Sequence, residues 1–297
     1  MCLAGLTGYP CEETGGAAIK GQLAGIFDLT GKVAIVTGGA GLLGAEHAEA
    51  LVEAGAFCVL ADIDGTRARA VADRLVAGQD AEVAAIETDV TRAESVSMLL
   101  QETLRRYGRI DILVNNAANN PHYEKVSADQ KLTGRFESYP LSAWNDDVAV
   151  GLTGSFLCCQ IVGTYLANQG EGVILNIASD LGVIGPDQRI YRKSGLRLEQ
   201  QPTKPVTYSV VKSGLIGLTR YLATYWADRG VRVNALVPGG VYTDQDPEFV
   251  VKLTNLIPLG RMAAVDEYKA AVVFLCSTAA AYMTGAMLVI DGGRTCW

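Results

Sequence analysis

A tyrosine and a lysine four residues apart, in the run Tyr208-Ser209-Val210-Val211-Lys212, fall on one face of a helix. Such a pair makes a proton donor. A free phenol has a pKa of about 10, and a fixed ammonium a few ångströms away favours the phenolate, drawing that value toward the pH at which acid–base transfer is efficient. The pattern alone recurs by chance in many proteins. Its weight depends on the elements around it.

A glycine-rich turn supplies the second half of a chemical site. The β-branched, apolar run Lys32-Val33-Ala34-Ile35-Val36-Thr37 is typical of a buried parallel strand, and it leads into Gly38-Gly39-Ala40-Gly41-Leu42-Leu43-Gly44 and an alanine-rich helical segment, Ala45 to Ala54. Glycines permit a tight turn and close approach of backbone to a pyrophosphate. The helix N-terminus offers unpaired N–H groups and a favourable dipole to the negative charge. The next strand, Phe57 to Asp62, places Asp62 about 20 residues past the glycines, where a carboxylate accepts both ribose hydroxyls and repels a 2′-phosphate. NAD is therefore expected rather than NADP. Asp64, directly before the helical run Gly65 to Ala77, is the better candidate for a helix cap. The first basic residue after Asp62 is Arg67, so no phosphate clamp is evident in the turn.

Strands are expected at about 32–37, 57–62, 81–89, 110–115, 172–178, 231–237 and 286–291, alternating with helices. That alternation implies an α/β fold, a single Rossmann-type doubly wound parallel sheet of seven strands with helices on both faces.

With these pieces the chain resembles the short-chain dehydrogenase/reductase family, from about Phe27 to Gly293. The resemblance implies a role for each matching position. Gly38, Gly41, Leu42, Leu43 and Gly44 would form the pyrophosphate turn, Asp89 and Val90 would lie near the adenine, and Asn116, Ala117 and Ala118, in Asn115-Asn116-Ala117-Ala118, would shape the cofactor cleft. Ser179 matches the serine that holds the substrate oxygen, and Tyr208 and Lys212 match the acid–base pair, with Lys212 also on the nicotinamide ribose. In Pro238-Gly239-Gly240-Val241-Tyr242-Thr243, the Pro238-Gly239 turn closes the sixth strand and Val241 and Thr243 would orient the carboxamide. A looser similarity, around Ser179-Asp180-Leu181-Gly182 and Pro205 to Val210, is to family members of nonulosonic-acid sugar synthesis and flagellin modification.

Three departures accompany the matches. The glycines fall at 38, 41 and 44, with Leu42 where the single-domain branch of the family has glycine. Gly151 stands where an Asn of the family holds a water of the proton relay. Ser179 and Tyr208 are separated by 28 residues, about twice the family's habit, and the extra segment lies within 186–205. That insert carries Arg189, Arg192, Lys193, Arg197 and Lys204 against Asp187 and Glu199, a net of +3 in a chain of net charge −7. Tethered at both ends to the active site, it is expected to act as a lid or a source of specificity contacts. Arginines match phosphate oxygens, so Arg189 and Arg192, with Tyr191 and Asp180, are the candidate substrate residues and an anionic sugar the candidate substrate.

At 297 residues and 49% hydrophobic content the chain can bury one large core, so a 27–297 domain preceded by a 1–26 extension, flexible or packed on a neighbouring subunit, is expected. The acidic balance argues against a nucleic-acid partner. Seven cysteines with no C-x-x-C framework suggest a reduced, cytoplasmic setting, and two histidines, His47 and His122, without a Cys/His cluster suggest no metal. His47 reads as a helix residue without a chemical role. No apolar run is expected to span a bilayer, and the leader lacks the basic start of a signal peptide. The long segments Leu141 to Ala167 and Val206 to Arg229 resemble the family's subunit contact, implying a homodimer or homotetramer. The leading functional expectation is an NAD(H)-dependent oxidoreductase on a secondary alcohol or ketone. A sugar dehydratase or epimerase that retains its NAD, and a non-catalytic NAD-binding protein, remain open alternatives.

Overall fold

A computed structural model describes residues 23–77, 82–119 and 134–297. His122, Cys2, Cys11 and nearly all of the 1–26 extension lie outside the described residues. The strands are β1 (Val33–Thr37), β2 (Phe57–Asp62), β3 (Val83–Glu87), β4 (Ile112–Asn115), β5 (Gly172–Ile177), β6 (Val231–Pro238) and β7 (Met287–Ile290). They form one sheet in the order β3-β2-β1-β4-β5-β6-β7, with every neighbouring pair parallel. All five residues of β1 and all four of β4 are buried, because helices cover both faces and no position can be polar-out. The strand order reverses between β1 and β4. Their carboxyl ends therefore part and open a crevice at the edge where such sheets hold ligands.

The helices are α1 (Leu42–Glu53), α2 (Gly65–Val76), α3 (Ala93–Tyr107), α4 (Leu141–Gln169), α5 (Val206–Tyr225), α6 (Pro247–Thr254) and α7 (Lys269–Cys276). One face of the sheet packs Ala48 and Leu51 of α1 and Val272 and Leu275 of α7. The other packs Leu99 of α3, Cys158, Val162 and Leu166 of α4, and Leu222 of α5. Asp64 caps α2 by accepting from the Arg67 N–H at 2.9 Å, as its position implied.

The longest helix bears on the expectation that no apolar run spans a bilayer. The stretch Leu141–Gln169 is a continuous helix of 29 residues that is long and apolar enough to cross a membrane by length and composition. Its apolar stripe is spent on the sheet instead, with Cys158, Cys159, Val162 and Leu166 each 1% exposed or less. Two π-turns, Ala149–Thr153 and Cys159–Gly163, interrupt its regular α-helical winding.

Candidate active site

The turn after β1 holds its shape through contacts that exclude larger residues. Gly38 has φ +60°, and a Cβ there would come within 2.9 Å of the Ala117 Cα. A Cβ on Gly44 would sit 2.1 Å from the Gly38 carbonyl oxygen, so the first turn of α1 and the loop touch backbone to backbone. Leu42 has no such constraint: it opens α1 with Gly41 as the N-cap, and its side chain is 51% exposed. The altered glycine spacing is thus explained by which positions are crowded. Asp62 closes the loop from the far side, its two carboxylate oxygens accepting from the Ala40 N–H at 2.9 Å and the Asp64 N–H at 3.0 Å. Asn116 ties the β4 end to the same turn, donating to the carbonyls of Thr37 at 3.0 Å and Gly38 at 3.1 Å.

A cleft of about 500 Å³ runs from this turn across the ends of β1, β4, β5 and β6. Gly38, Gly41, Leu42, Leu43, Asp62, Asp89, Val90, Asn116, Ala117 and Ala118 line one end. Ser179, Tyr208, Lys212, Pro238, Gly239, Val241 and Thr243 line the other. Gly44 stands behind the turn rather than on the cleft. The preformed glycine cradle, the exposed N-terminus of α1 and the immobilised Asp62 carboxylate together fit a dinucleotide.

At the cleft floor Ser179 follows β5, and Tyr208 and Lys212 project from the first turns of α5. Lys212 is 5% exposed and its Nζ donates to the Ile177 carbonyl at 2.7 Å. Burial, and then the charge of Lys204, bring its pKa down to about 8. Tyr208 behaves differently from the sequence expectation. Burial pushes the phenol above its ordinary value, hydrogen bonding with Ser179 works the other way, Asp180 raises it and Arg294 lowers it. Lys212 does not dominate, because its Nζ is drawn to the Ile177 carbonyl and lies 5.9 Å from the ring centre. The nearer cation is Lys204, 3.7 Å from that centre.

The lowered Lys212 value fixes the sign of a pH effect. A lysine whose folded pKa is depressed costs stability while charged, and the cost is fully present below about pH 8 and disappears as pH rises to the unfolded value of 10.5. Lys212→Met removes that titration. Across this window the stability difference is expected to move in favour of the unmodified protein by on the order of 3 kcal/mol. Urea unfolding at pH 8 and near pH 10.5 measures it, and a flat difference would contradict the assignment.

Gly151 lies in the first π-turn of α4, facing α5. A Cβ there would meet the Val211 Cγ1 at 2.5 Å, and Val211 is itself 4% exposed. Close approach of two helices explains why glycine stands where the resemblance implied Asn. Beside it, Gly151, Asp147, Thr207, Tyr208 and Lys212 border a cavity with only about 10 Å³ open to a water centre, room for one molecule at most. Asp147 accepts there from Thr207 Oγ1 at 2.5 Å and Tyr139 Oη at 2.9 Å. Gly151→Asn is therefore expected to lose about 1–3 kcal/mol by overpacking without raising turnover. Calorimetric unfolding and initial rates test both halves.

The 186–205 insert folds against α6. Ile190 packs with Leu253, Ile257 and Met262, and the Tyr191 ring lies 5.4 Å from that of Phe249. Tyr191 and Asp180 line the cleft, whereas Arg189 and Arg192 do not. Arg189 is bound to Asp187 at 2.7 Å with its side chain 77% exposed, a local ion pair that spends the guanidinium on its own loop. Lys204 and Arg294 are among the cleft residues that sequence reasoning missed. Lys204 was counted only as loop charge, although its place four residues before Tyr208 was visible. Arg294, from the turn after β7, gave no local signal, and it forms a buried ion pair with Asp180 at 2.7 Å. His47, on α1, is fully buried with both ring nitrogens unpartnered, and burial first, then Lys212, bring it to about 3, so it stays neutral.

A parallel α/β sheet with a glycine turn at its switch point and a Ser, Tyr and Lys set beside it defines a nucleotide-dependent oxidoreductase. A family model described as enoyl-(acyl carrier protein) reductase matches residues 39–295. D-threitol dehydrogenase of Mycolicibacterium smegmatis is 37% identical, over 91% of this chain and 95% of its own. NAD-dependent glycerol dehydrogenase of Listeria innocua is 32% identical, over 91% of this chain and 96% of its own. Among solved structures, a gluconate 5-dehydrogenase from Burkholderia cenocepacia in complex with NADP and tartrate superposes with a TM-score of 0.77 at 28% identity, covering 93% of this chain and 99% of that one. The chain belongs to the short-chain dehydrogenase/reductase family and is a dehydrogenase of that family.

Proposed function

We propose that this enzyme is an NAD(H)-dependent dehydrogenase that interconverts a secondary alcohol and a ketone on a small polyhydroxylated substrate. The observation that carries this reading is the meeting of Ser179, Tyr208 and Lys212 on the floor of the cleft that begins at the glycine turn. A bound nicotinamide would supply the hydride acceptor. Asp62 would take the adenosine ribose hydroxyls, and Lys212 the nicotinamide ribose. Tyr208 Oη would exchange the substrate proton while Ser179 Oγ positions the substrate oxygen. Asp147 and Thr207 border, with Gly151 and Lys212, the small cavity beside the position the family's Asn would fill.

The names of the relatives support a neutral polyol more than an anionic sugar, and the exposed positions of Arg189 and Arg192 support it too. Within the cleft, Lys204 is the remaining candidate to meet a carboxylate or phosphate. Net NADH formation in a screen of tetritols, pentitols, hexitols and glycerol tests the reading. A dehydratase or epimerase would turn over without net NADH, and a non-catalytic binder would not turn over at all.

NAD preference rests on Asp62. Arg67 also lines the cleft and is the side chain that would favour NADP. Asp62→Ala is expected to weaken NAD by about tenfold and to narrow its margin over NADP, since it loses charged ribose contacts and the acceptor for the Ala40 N–H. Tighter NADP than NAD binding by the unmodified protein would overturn this. A homodimer or homotetramer is supported by exposed aromatics on α4 and α5, Phe156, Tyr221 and Tyr225, and light scattering reads the mass directly. Four fully or nearly fully buried free thiols, Cys58, Cys158, Cys159 and Cys276, suit a reducing cytoplasm.

A further inference from the structure

The 186–205 insert brings one of its basic side chains to the reacting tyrosine, and its internal bonds fix where that side chain starts. The Gln188 amide clasps Lys204 from both sides, its Oε1 accepting from the Lys204 N–H at 2.9 Å and its Nε2 donating to the Lys204 carbonyl at 3.3 Å. Gln201, 9% exposed, does the same further along the loop. It accepts from the Lys193 N–H at 2.8 Å and donates to the carbonyls of Lys193 at 3.0 Å and Leu196 at 2.8 Å. Lys252 of α6 then donates to the Arg192 carbonyl at 2.6 Å and ties the loop to that helix.

Lys204 leaves this support directly before α5. Pro205, the N-cap, is extended at φ −60° and ψ 144°, so Lys204 stands outside the helix and its side chain folds over the first turn. Its Nζ lies 3.7 Å from the centre of the Tyr208 ring, against 5.9 Å for Lys212. The other charges facing Tyr208 among the described residues are Asp180, after β5, and Arg294, after β7, and these two are bound to each other at 2.7 Å. Asp147 of α4 lies across the small cavity that Lys204, Tyr208 and Lys212 also border. The Tyr208 hydroxyl itself is hydrogen-bonded with Ser179. A cation on a ring face is attracted by the π-electrons, and the attraction grows when the ring carries the negative charge of a phenolate.

We propose that Lys204 is a second cation for the proton-transfer tyrosine, which the insert stands on the ring face to stabilise the Tyr208 phenolate that accepts the alcohol's proton. In oxidation the alcohol O–H bond breaks and its proton bonds to Tyr208 Oη. The C–H electron pair leaves with its hydrogen for the bound nicotinamide, which is reduced as the carbinol becomes a ketone. Tyr208 starts that step as the phenolate and regains it by losing the proton to solvent. Burial opposes the charged form, and Lys212 is farther off and turned to the Ile177 carbonyl. Lys204 adds to Lys212 from the other side of the loop boundary. It touches Tyr208 rather than the substrate, so it is a positioning residue. This rests on the dehydrogenase reading, in which Tyr208 exchanges the proton.

Two readouts separate the proposal from that reading. The first needs no substrate: the ultraviolet difference absorbance of ionised tyrosine, taken between the unmodified protein and Tyr208→Phe, titrates Tyr208 alone. In a Lys204→Met background the midpoint of this difference is expected to lie about one pH unit higher, and Lys204→Arg, which keeps the cation, restores it. The second is kcat/KM for D-threitol at saturating NAD, whose rise with pH is expected to move up by the same amount, with the alkaline plateau and NAD affinity unchanged. Loss of the Lys204 charge also leaves Lys212 more fully protonated, which draws the phenol down, so an upward shift reports the ring contact. Gln188→Ala frees the clasp while keeping the ammonium, and gives a smaller shift of the same sign should Lys204→Met fold poorly. An unmoved midpoint overturns the proposal, and a rise in KM for gluconate alongside it makes Lys204 a substrate contact instead. Absence of turnover on D-threitol removes the polyol reading, and the absorbance titration still decides whether Lys204 governs the phenol.

Discussion

Tyr208→Phe lowers kcat by about 10²- to 10⁴-fold, the contribution expected of a positioned proton donor, with NAD affinity little changed. The ring keeps its packing and only the oxygen is lost. Because burial holds the phenol above its ordinary value and Lys212 is turned to Ile177, the variant should also remove the alkaline limb of the rate profile. Lys212→Ala, by contrast, should damage both rate and NAD binding, since Lys212 serves the proton and the ribose. Stopped-flow hydride transfer with NADH fluorescence separates the two, and a Tyr208→Phe enzyme retaining most of its rate would remove the proton-donor assignment.

Gly44→Ala is expected to abolish NAD binding and to destabilise the fold by about 3 kcal/mol or more, a large effect for one methyl group. The added carbon would lie 2.1 Å from the Gly38 oxygen and 2.7 Å from Asn116 Nδ2, and neither the backbone nor the strapped amide can retreat. α1 must then move away from the turn, which takes its N–H groups out of reach of a pyrophosphate. Gly185→Ala is the matched control, since nothing lies within 4 Å of its added carbon. Thermal unfolding and NAD titration of the pair decide it. Similar behaviour of both variants would mean the turn is softer than its contacts imply.

The contrast between Gly44 and Leu42 shows where sequence reading stops. Both are members of one spaced motif, yet only the three-dimensional approach of α1 to the loop makes one indispensable and leaves the other 51% exposed. Gly151 is similar. Its oddity was legible against the family pattern, but its cause, Val211 across a helix contact, was not, because that contact joins residues 60 apart in a way no local spacing encodes. Spacing put Tyr208 and Lys212 on one helix face, while the sign of the Tyr208 shift depended on burial and on the hold of Ile177 on Lys212, both properties of the packed sheet end.

What the sequence determined by itself was everything set by local periodicity and short spacing. Apolar runs of strand length alternating with helical segments specify a parallel sheet, since a strand buried on both faces must be apolar throughout. A glycine turn between strand and helix, an acid at the end of the next strand and a Tyr and Lys on one helix face locate the two ends of the site. Only the tertiary structure decided which charges work there. Arg189 is spent on Asp187 two residues away, whereas Lys204 comes to stand over the Tyr208 ring and Arg294 crosses from the last strand to Asp180. A charge's role depends on the partner that reaches it first and on the water excluded around it. Both are fixed by chain segments far apart in sequence meeting at one sheet edge.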